Sequence, residues 1–336
     1  MREYSAIAKQ VVAAAALTFF STAQAILVEL AKVDGKMRFH TPSAVFYTEI
    51  LKLFIALTVW GMDVVSGSSN GIRLSWRSLT YAIPAALFIA QNNLVFLALS
   101  LLDPPTFQVW ACFKLIPAGV LARIFLRQRR TAVQWCALLL LMLGMVVTKV
   151  CRDGNPVAHE SYAGMGILVL LFNGCLSASS GVFNEWLIKF QDPSASLMLK
   201  NAHIYFFGAL VSLPSCKSPL AGGLDGFDAM AVVIVIVNAA TGLCVSLVLK
   251  YADNLIKNYC TSVAVILSTL ASVICCGFSI SQSFVVGVAI VLCAMFLYFG
   301  EHNKLLVVHD TIASQEPASP HDEEALLTDS EKELPK

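Results

Sequence analysis

The chain holds 336 residues, of which 57% are hydrophobic and only 13% charged, with a mean hydropathy of +0.72. Soluble domains carry roughly a quarter charged residues, so this chain has too little charge to cover a water-facing surface. Its formal charge of +1 excludes a strongly basic nucleic-acid binder, and ten cysteines without a C-x-x-C pair argue against a disulfide scaffold or a zinc ribbon. A polytopic membrane protein remains.

A spanning helix needs about 20 apolar residues, because the hydrocarbon core is about 30 Å thick. Ten segments meet that need in chain order: Gln10–Leu30, Ser43–Val64, Leu79–Leu101, Phe107–Leu126, Ala132–Lys149, Gly164–Ile188, Ala202–Leu213, Phe227–Leu249, Tyr259–Phe278 and Ser283–Gly300. The seventh is short and must borrow from its flanks. The runs are continuously apolar rather than alternating, which disfavours a barrel. Met1–Lys9 leads into a full-length span without a small-residue cleavage site, so no signal peptide is expected. Orientation follows from the loops: fifteen lysines and arginines share the N-terminal side, six lie opposite, and Lys52 and Lys114 fall inside spans. The positive-inside rule then places both termini in the cytosol.

The expected transmembrane domain covers 1–301, in halves of about 1–150 and 160–301. Residues 302–336 are acidic and rich in Pro and Ser, a composition that buries too little apolar surface to fold. They read as a disordered cytosolic tail. Within it, Asp322-Glu323-Glu324-Ala325-Leu326-Leu327 is similar to an acidic dileucine signal for coat adaptors; an acidic tail with two chance leucines is the other reading. Ten spans divide into five and five, and halves with an odd number of spans sit in opposite orientations. A slide of 150 residues brings Leu99-Ser100-Leu101-Leu102-Asp103 onto Leu249-Lys250-Tyr251-Ala252-Asp253, with Ile116 on Ile266 and Met145 on Met295. Inverted repeats of this kind are a transporter architecture with the substrate site near the midplane. The expected fold is therefore all-α, ten transmembrane helices in two inverted five-helix halves.

Polar side chains at bilayer depth require a partner, water or a ligand. Glu49 and Lys52 stand three apart on span two and share a face, so they form an i,i+3 pair that either fixes packing or serves a guest. Lys114 on span four has no acid within one turn and needs a distant counter-ion or an anion. Gln91-Asn92-Asn93 supplies donors and acceptors inside span three, for helix–helix contacts or for a guest. In the second half stand Asn173, Asn184 and Glu185 on span six, then Asn201 and Tyr205 four apart on span seven. Asn238 and Ser246 follow on span eight, with Lys257 and Asn258 at the mouth of span nine. His203 suits interfacial packing better than proton relay. Glycines spread over several spans let helices approach closely. There is no P-loop, H-E-x-x-H or G-x-S-x-G, so neither an enzyme nor a metal or cofactor site is expected. Membrane lysines with amides and phenols suit a polar organic anion.

Several runs resemble nucleotide-sugar transporters of the CMP-sialic acid, UDP-galactose and UDP-N-acetylglucosamine group. They are Gln91-Asn92-Asn93-Leu94-Val95-Phe96-Leu97-Ala98-Leu99-Ser100, Leu102-Asp103, Phe107-Gln108-Val109 and Lys114-Leu115-Ile116 in the first half. Lys250-Tyr251-Ala252-Asp253-Asn254-Leu255-Ile256-Lys257 and Leu267-Ser268-Thr269 follow in the second, and Thr48-Glu49 with Lys52 also matches. The resemblance implies the drug/metabolite transporter fold in Golgi or ER membranes. It also implies exchange of a cytosolic nucleotide sugar for a lumenal nucleoside monophosphate, without ATP. Carried over position by position, it implies a substrate site of Lys52, Asn93, Lys114, Asn201, Tyr205, Ser246 and Lys257. Asn92 lies beside it, with Glu49 and Glu185 as supporting acids. Lys114 and Lys257 would meet phosphate, and Asn201 with Tyr205 the base or ribose. Two positions depart from the family: Phe107 stands where Tyr is frequent, and Trp186 follows Glu185 where Lys is frequent. The other readings are a carrier of another organic anion or sugar phosphate, and a non-transporting scaffold of the same fold. A homodimer is compatible with such a bundle.

Overall fold

A computed structural model describes residues 2–33, 36–67, 76–102, 107, 110–128, 130–150, 163–192, 194–216, 226–276 and 282–315. In a medium without water every backbone N–H and C=O must be satisfied internally, and continuous helix does this within one segment. The described chain is accordingly helical: α1 (Arg2–Leu30), α2 (Thr41–Val65), α3 (Ala82–Leu101), α4 (Leu115–Phe125), α5 (Ala132–Val150), α6 (Ala163–Lys189), α7 (Leu197–Ser212), α8 (Ala229–Tyr251), α9 (Asn254–Cys276) and α10 (Gln282–Gln315). Each apolar segment of the sequence overlaps one of them. Of these, α1, α2, α6, α8 and α10 contain stretches long and apolar enough to cross a membrane. A two-residue hairpin, Lys32–Val33 against Lys36–Met37, joins α1 to α2.

Local sequence sets several helix starts. Thr131 and Gln134 form a reciprocal cap on α5: the Thr131 hydroxyl accepts from the Gln134 N–H at 3.3 Å, and the Gln134 side chain accepts from the Thr131 N–H at 3.2 Å. Ser196 accepts from the Leu199 N–H to open α7, and Asp228 from the Ala231 N–H to open α8. Asp253 does the same for α9, through the Ile256 N–H at 2.7 Å.

Several boundaries differ from the sequence reading: α1 starts eight residues early, α9 five residues early and α4 eight residues late, and two further shifts have identifiable causes. The Ser196 cap starts α7 five residues early, so Lys200, assigned to a loop by charge counting, is inside the helix and 4% exposed. Its ammonium donates to the Ile188 carbonyl at 2.7 Å, satisfying the C-terminal end of α6. At the other end, α10 continues to Gln315, well past the point where the tail is expected to begin. No Pro or Gly interrupts Glu301–Gln315, so nothing local stops the helix. The dileucine stretch, including Asp322, Leu326 and Leu327, lies outside the described residues.

The largest core gathers Leu17, Leu115, Leu138, Leu141, Val248, Leu255, Tyr259, Val291 and Tyr298 from α1, α4, α5, α8, α9 and α10. Large apolar side chains such as Phe19, Phe54 and Phe296 remain exposed on the outside of the bundle. The principal helix packings are α5 with α10, α2 with α7, α1 with α8 and α9, α6 with α3 and α4, α2 with α8, and α7 with α3. At the α5–α10 seam backbone approaches backbone closely. A Cβ on Gly144 would lie 3.1 Å from the Gly287 carbonyl oxygen, and one on Gly287 would lie 3.0 Å from that of Gly144.

Candidate functional site

A cavity of about 700 Å³ lies between α2, α3, α6, α7, α8 and α9. Its lining runs from the exposed Thr41 and Ser215 at one end of the bundle to the buried Ile188 and Leu249 near the other. Charged side chains on the wall are Glu49, Lys52 and Lys257.

Helical spacing brings Glu49 and Lys52 together, as the sequence led us to expect: Lys52 Nζ donates to Glu49 Oε1 at 2.6 Å, with both side chains mostly buried. Two glycines make room for this pair. A Cβ on Gly208 would lie 2.8 Å from Glu49 Oε2, and one on Gly242 would lie 2.7 Å from Lys52 Cδ. The Lys52 ammonium also sits 4.5 Å from the centroid of the Tyr205 ring, a cation–π contact. The Tyr205 hydroxyl is 3.2 Å from Ser246 Oγ and donates to the Gly242 carbonyl. Lys52, Tyr205 and Ser246, drawn from three helices, thus form one wall.

Lys257 joins the lining from the first turn of α9, close enough to Glu185 for attraction and to Lys114 for repulsion. Lys114 ends a short 3₁₀ turn, Cys112–Lys114, before α4. Its backbone packs on Gly174 and its side chain is exposed, outside the cavity lining. Asn201 is fully buried one turn before Tyr205, beneath the lining, and neither polar atom of its amide has a hydrogen-bond partner among the described residues. The side chains of Asn92 and Asn93 lie outside those described. His203 stacks on Tyr81 at 5.2 Å, the packing role expected for it.

Glu185 serves a different feature. It is fully buried, and its carboxylate accepts from Lys189 Nζ at 2.7 Å, from Gln128 Nε2 at 2.7 Å and from the Asn254 N–H at 2.9 Å. Beside it, Arg130 meets Asp253 at 3.2 Å, the Gln128 side-chain oxygen at 2.5 Å and the Tyr298 hydroxyl. Burial disfavours the Arg130 cation, but Asp253 and Tyr298 more than offset this and hold its pKa above the ordinary value. Lys189 also donates to the Ala252 carbonyl, and Gln10 to that of Tyr251. Arg127, at φ 52°, turns the chain so that Gln128 and Arg130 reach inward. This network ties α1, α6, α10, the α4–α5 turn and the α8–α9 turn together beyond the buried end of the cavity.

The sequence reading grouped Glu185 with the site acids and took Arg130 only as loop charge. A Gln-x-Arg in a short turn gave no signal of an inward direction. The chain matches the nucleotide-sugar transporter family model over residues 6–299. It belongs to the nucleotide-sugar transporter family. Among its relatives, CMP-sialic acid transporter 2 of Oryza sativa subsp. indica is 31% identical over 84% of this chain and 82% of its own length. UDP-galactose/UDP-N-acetylglucosamine transporter srf-3 of Caenorhabditis elegans is 28% identical over 90% and 85%. A solved crystal structure superposes with a TM-score of 0.63 at 15% identity, covering 87% of this chain and 98% of that one, which shows a shared fold. As a member of this family the protein is a multi-pass membrane transporter and not an enzyme.

Proposed function

We propose that this family member exchanges a cytosolic pyrimidine nucleotide sugar, of the CMP-sialic acid or UDP-galactose type, for a lumenal nucleoside monophosphate by alternating access. The observation that carries the reading is the cavity itself: its volume of about 700 Å³ falls in the range of small-ligand sites. Its lining combines Lys52 and Lys257 with Glu49, the Tyr205 phenol and Ser246. Lys257 takes the phosphate region, with Lys114 adding positive potential from nearby, and the Lys52–Tyr205–Ser246 wall takes the base or ribose. Asn201 and Asn93 join when the bundle rearranges. The two guests share base, ribose and one phosphate, so one site serves both, and differential affinity in the two states sets coupling.

The transport unit is residues 1–301 as ten spans in two inverted halves, with an acidic tail after it and both ends in the cytosol of a Golgi membrane. The helix packings support that arrangement. Exchanging each helix for the one five places away leaves α2–α7 and α5–α10 unchanged, turns α1–α8 into α6–α3, α1–α9 into α6–α4, and α2–α8 into α7–α3. All of these are principal packings. The cavity lies on the α2–α7 seam, which this exchange maps onto itself.

Counterflow in proteoliposomes tests the exchange: uptake of labelled nucleotide sugar should require internal CMP or UMP. Equal uptake into empty vesicles would refute coupled exchange. Thermal stabilisation by nucleoside monophosphates separates the bases, and no shift with any nucleotide would favour a different organic anion or a non-transporting scaffold.

A further inference from the structure

Several polar groups on the cavity wall already have protein partners. Lys52 is held by Glu49, Tyr205 and Ser246 hold each other, and Ser212 donates to the Gly208 carbonyl. Asn184 does not fit this pattern. It lines the cavity from α6, its Oδ1 is shielded from solvent, and that atom has no hydrogen-bond partner among the described residues. A desolvated acceptor left unmade is a cost to the fold, so a group at this place is one to examine for a ligand.

The joint between α6 and α9 fixes where Asn184 stands. Its neighbour Glu185 accepts from the Asn254 N–H at 2.9 Å, one turn before Lys257. One turn earlier on α6, Gly181 leaves space for the Asn254 side chain, whose Oδ1 would lie 2.6 Å from a Cβ there. Pinned in this way, α6 and α9 bring Asn184 and Lys257 to the same cavity, an uncommitted acceptor and a cation. We propose that Asn184 is a specificity-determining residue that accepts a hydrogen bond from a hydroxyl of the guest next to the anionic group taken by Lys257. This rests on the nucleotide-sugar reading above. Groups bonded close to the phosphate of such a guest are ribose or sugar hydroxyls, whereas base amino groups lie a full ribose away. An acceptor at this place therefore reads a hydroxyl. A site that hydrogen-bonds a substrate hydroxyl discriminates against the analogue lacking it, because the protein group is then left unpaired.

The test uses the purified full chain and ligand-induced thermal stabilisation, from which relative affinities follow. The probes are CMP, UMP and UDP-galactose, each beside analogues lacking one ribose or sugar hydroxyl. In the native protein, one matched pair should differ by about fivefold, the factor expected of one net hydrogen bond. Asn184→Leu and Asn184→Ala should bring that ratio to near one and leave the other pairs unchanged. Asn184→Asp keeps an acceptor and should keep the ratio while weakening all anions. If Leu and Ala preserve every ratio shown by the native protein, the assignment of Asn184 is overturned. If no nucleotide stabilises even the native protein, the nucleotide-sugar reading fails first and the role of Asn184 with it.

Discussion

Replacing Glu185 with Gln is a sharp test of the polar network beyond the buried end of the cavity. The carboxylate is fully buried and accepts three hydrogen bonds, two at Oε1 and one at Oε2. A glutamine has one acceptor oxygen. If that oxygen stays with Lys189 and Gln128, its NH₂ faces the Asn254 N–H, donor against donor. Turning the amide over instead points the NH₂ at Lys189 and Gln128. In the better orientation the fold loses one buried backbone bond, about 1–3 kcal/mol. The Gln128 bond becomes neutral and the Lys189 bond loses the charge of its acceptor while its donor stays cationic, about 1 kcal/mol each. The sum, roughly 3–5 kcal/mol, matches the cost of removing one partner of a buried ion pair. Thermal unfolding of Glu185→Gln in detergent should therefore start about 4–7 °C lower, at about 1.4 °C per kcal/mol for a chain of 336 residues. A melting temperature within about 1 °C of the native protein would mean that the network contributes no net stability. A double-mutant cycle with Lys189→Met isolates the pair, and additive effects would refute coupling between them.

Other substitutions probe the site and the seams. Lys257→Met should abolish nucleotide-induced stabilisation, which at 100 times the dissociation constant amounts to about 2.7 kcal/mol; an undiminished shift in the variant would remove Lys257 from the anion site. Tyr205→Phe removes the contacts to Ser246 and the Gly242 carbonyl and should cost about 1 kcal/mol, read as a lower denaturation midpoint. Gly287→Ala drives a Cβ against backbone, 2.7 Å from the Thr148 nitrogen, and should cost about 1–3 kcal/mol. Gly242→Ala meets only the flexible Lys52 side chain within 3 Å, so it should change nucleotide affinity more than melting temperature; the reverse order for these two glycines would contradict the packing described.

Helix positions were legible because apolar runs of spanning length carry their own signal. So was the Glu49–Lys52 pair, since three-residue spacing on one helix fixes proximity without knowledge of the fold. The wall formed by Tyr205 and Ser246 was legible through family motifs alone, as nothing local in the sequence joins α7 to α8. Long-range geometry defeated the reading elsewhere. Lys114 looks isolated in sequence, yet its exposure is set by the 3₁₀ turn that precedes α4. Glu185 resembles Glu49 in setting, but the α8–α9 turn delivers Asn254 to it and draws it into the end network. Asn184 was legible only as one of several polar side chains at bilayer depth; that its oxygen is unclaimed shows in the structure alone.

The contact of Gly144 with Gly287 has a mechanical consequence. A seam where main chain meets main chain, flanked by the stiff β-branched Val291 and Thr148, has little slack to compress. Across the bundle, the α2–α7 seam encloses open volume and flexible side chains, so it yields more readily. The two seams thus differ in stiffness as a clothes-peg differs between its spring and its jaws, with the proposed guest site at the jaws.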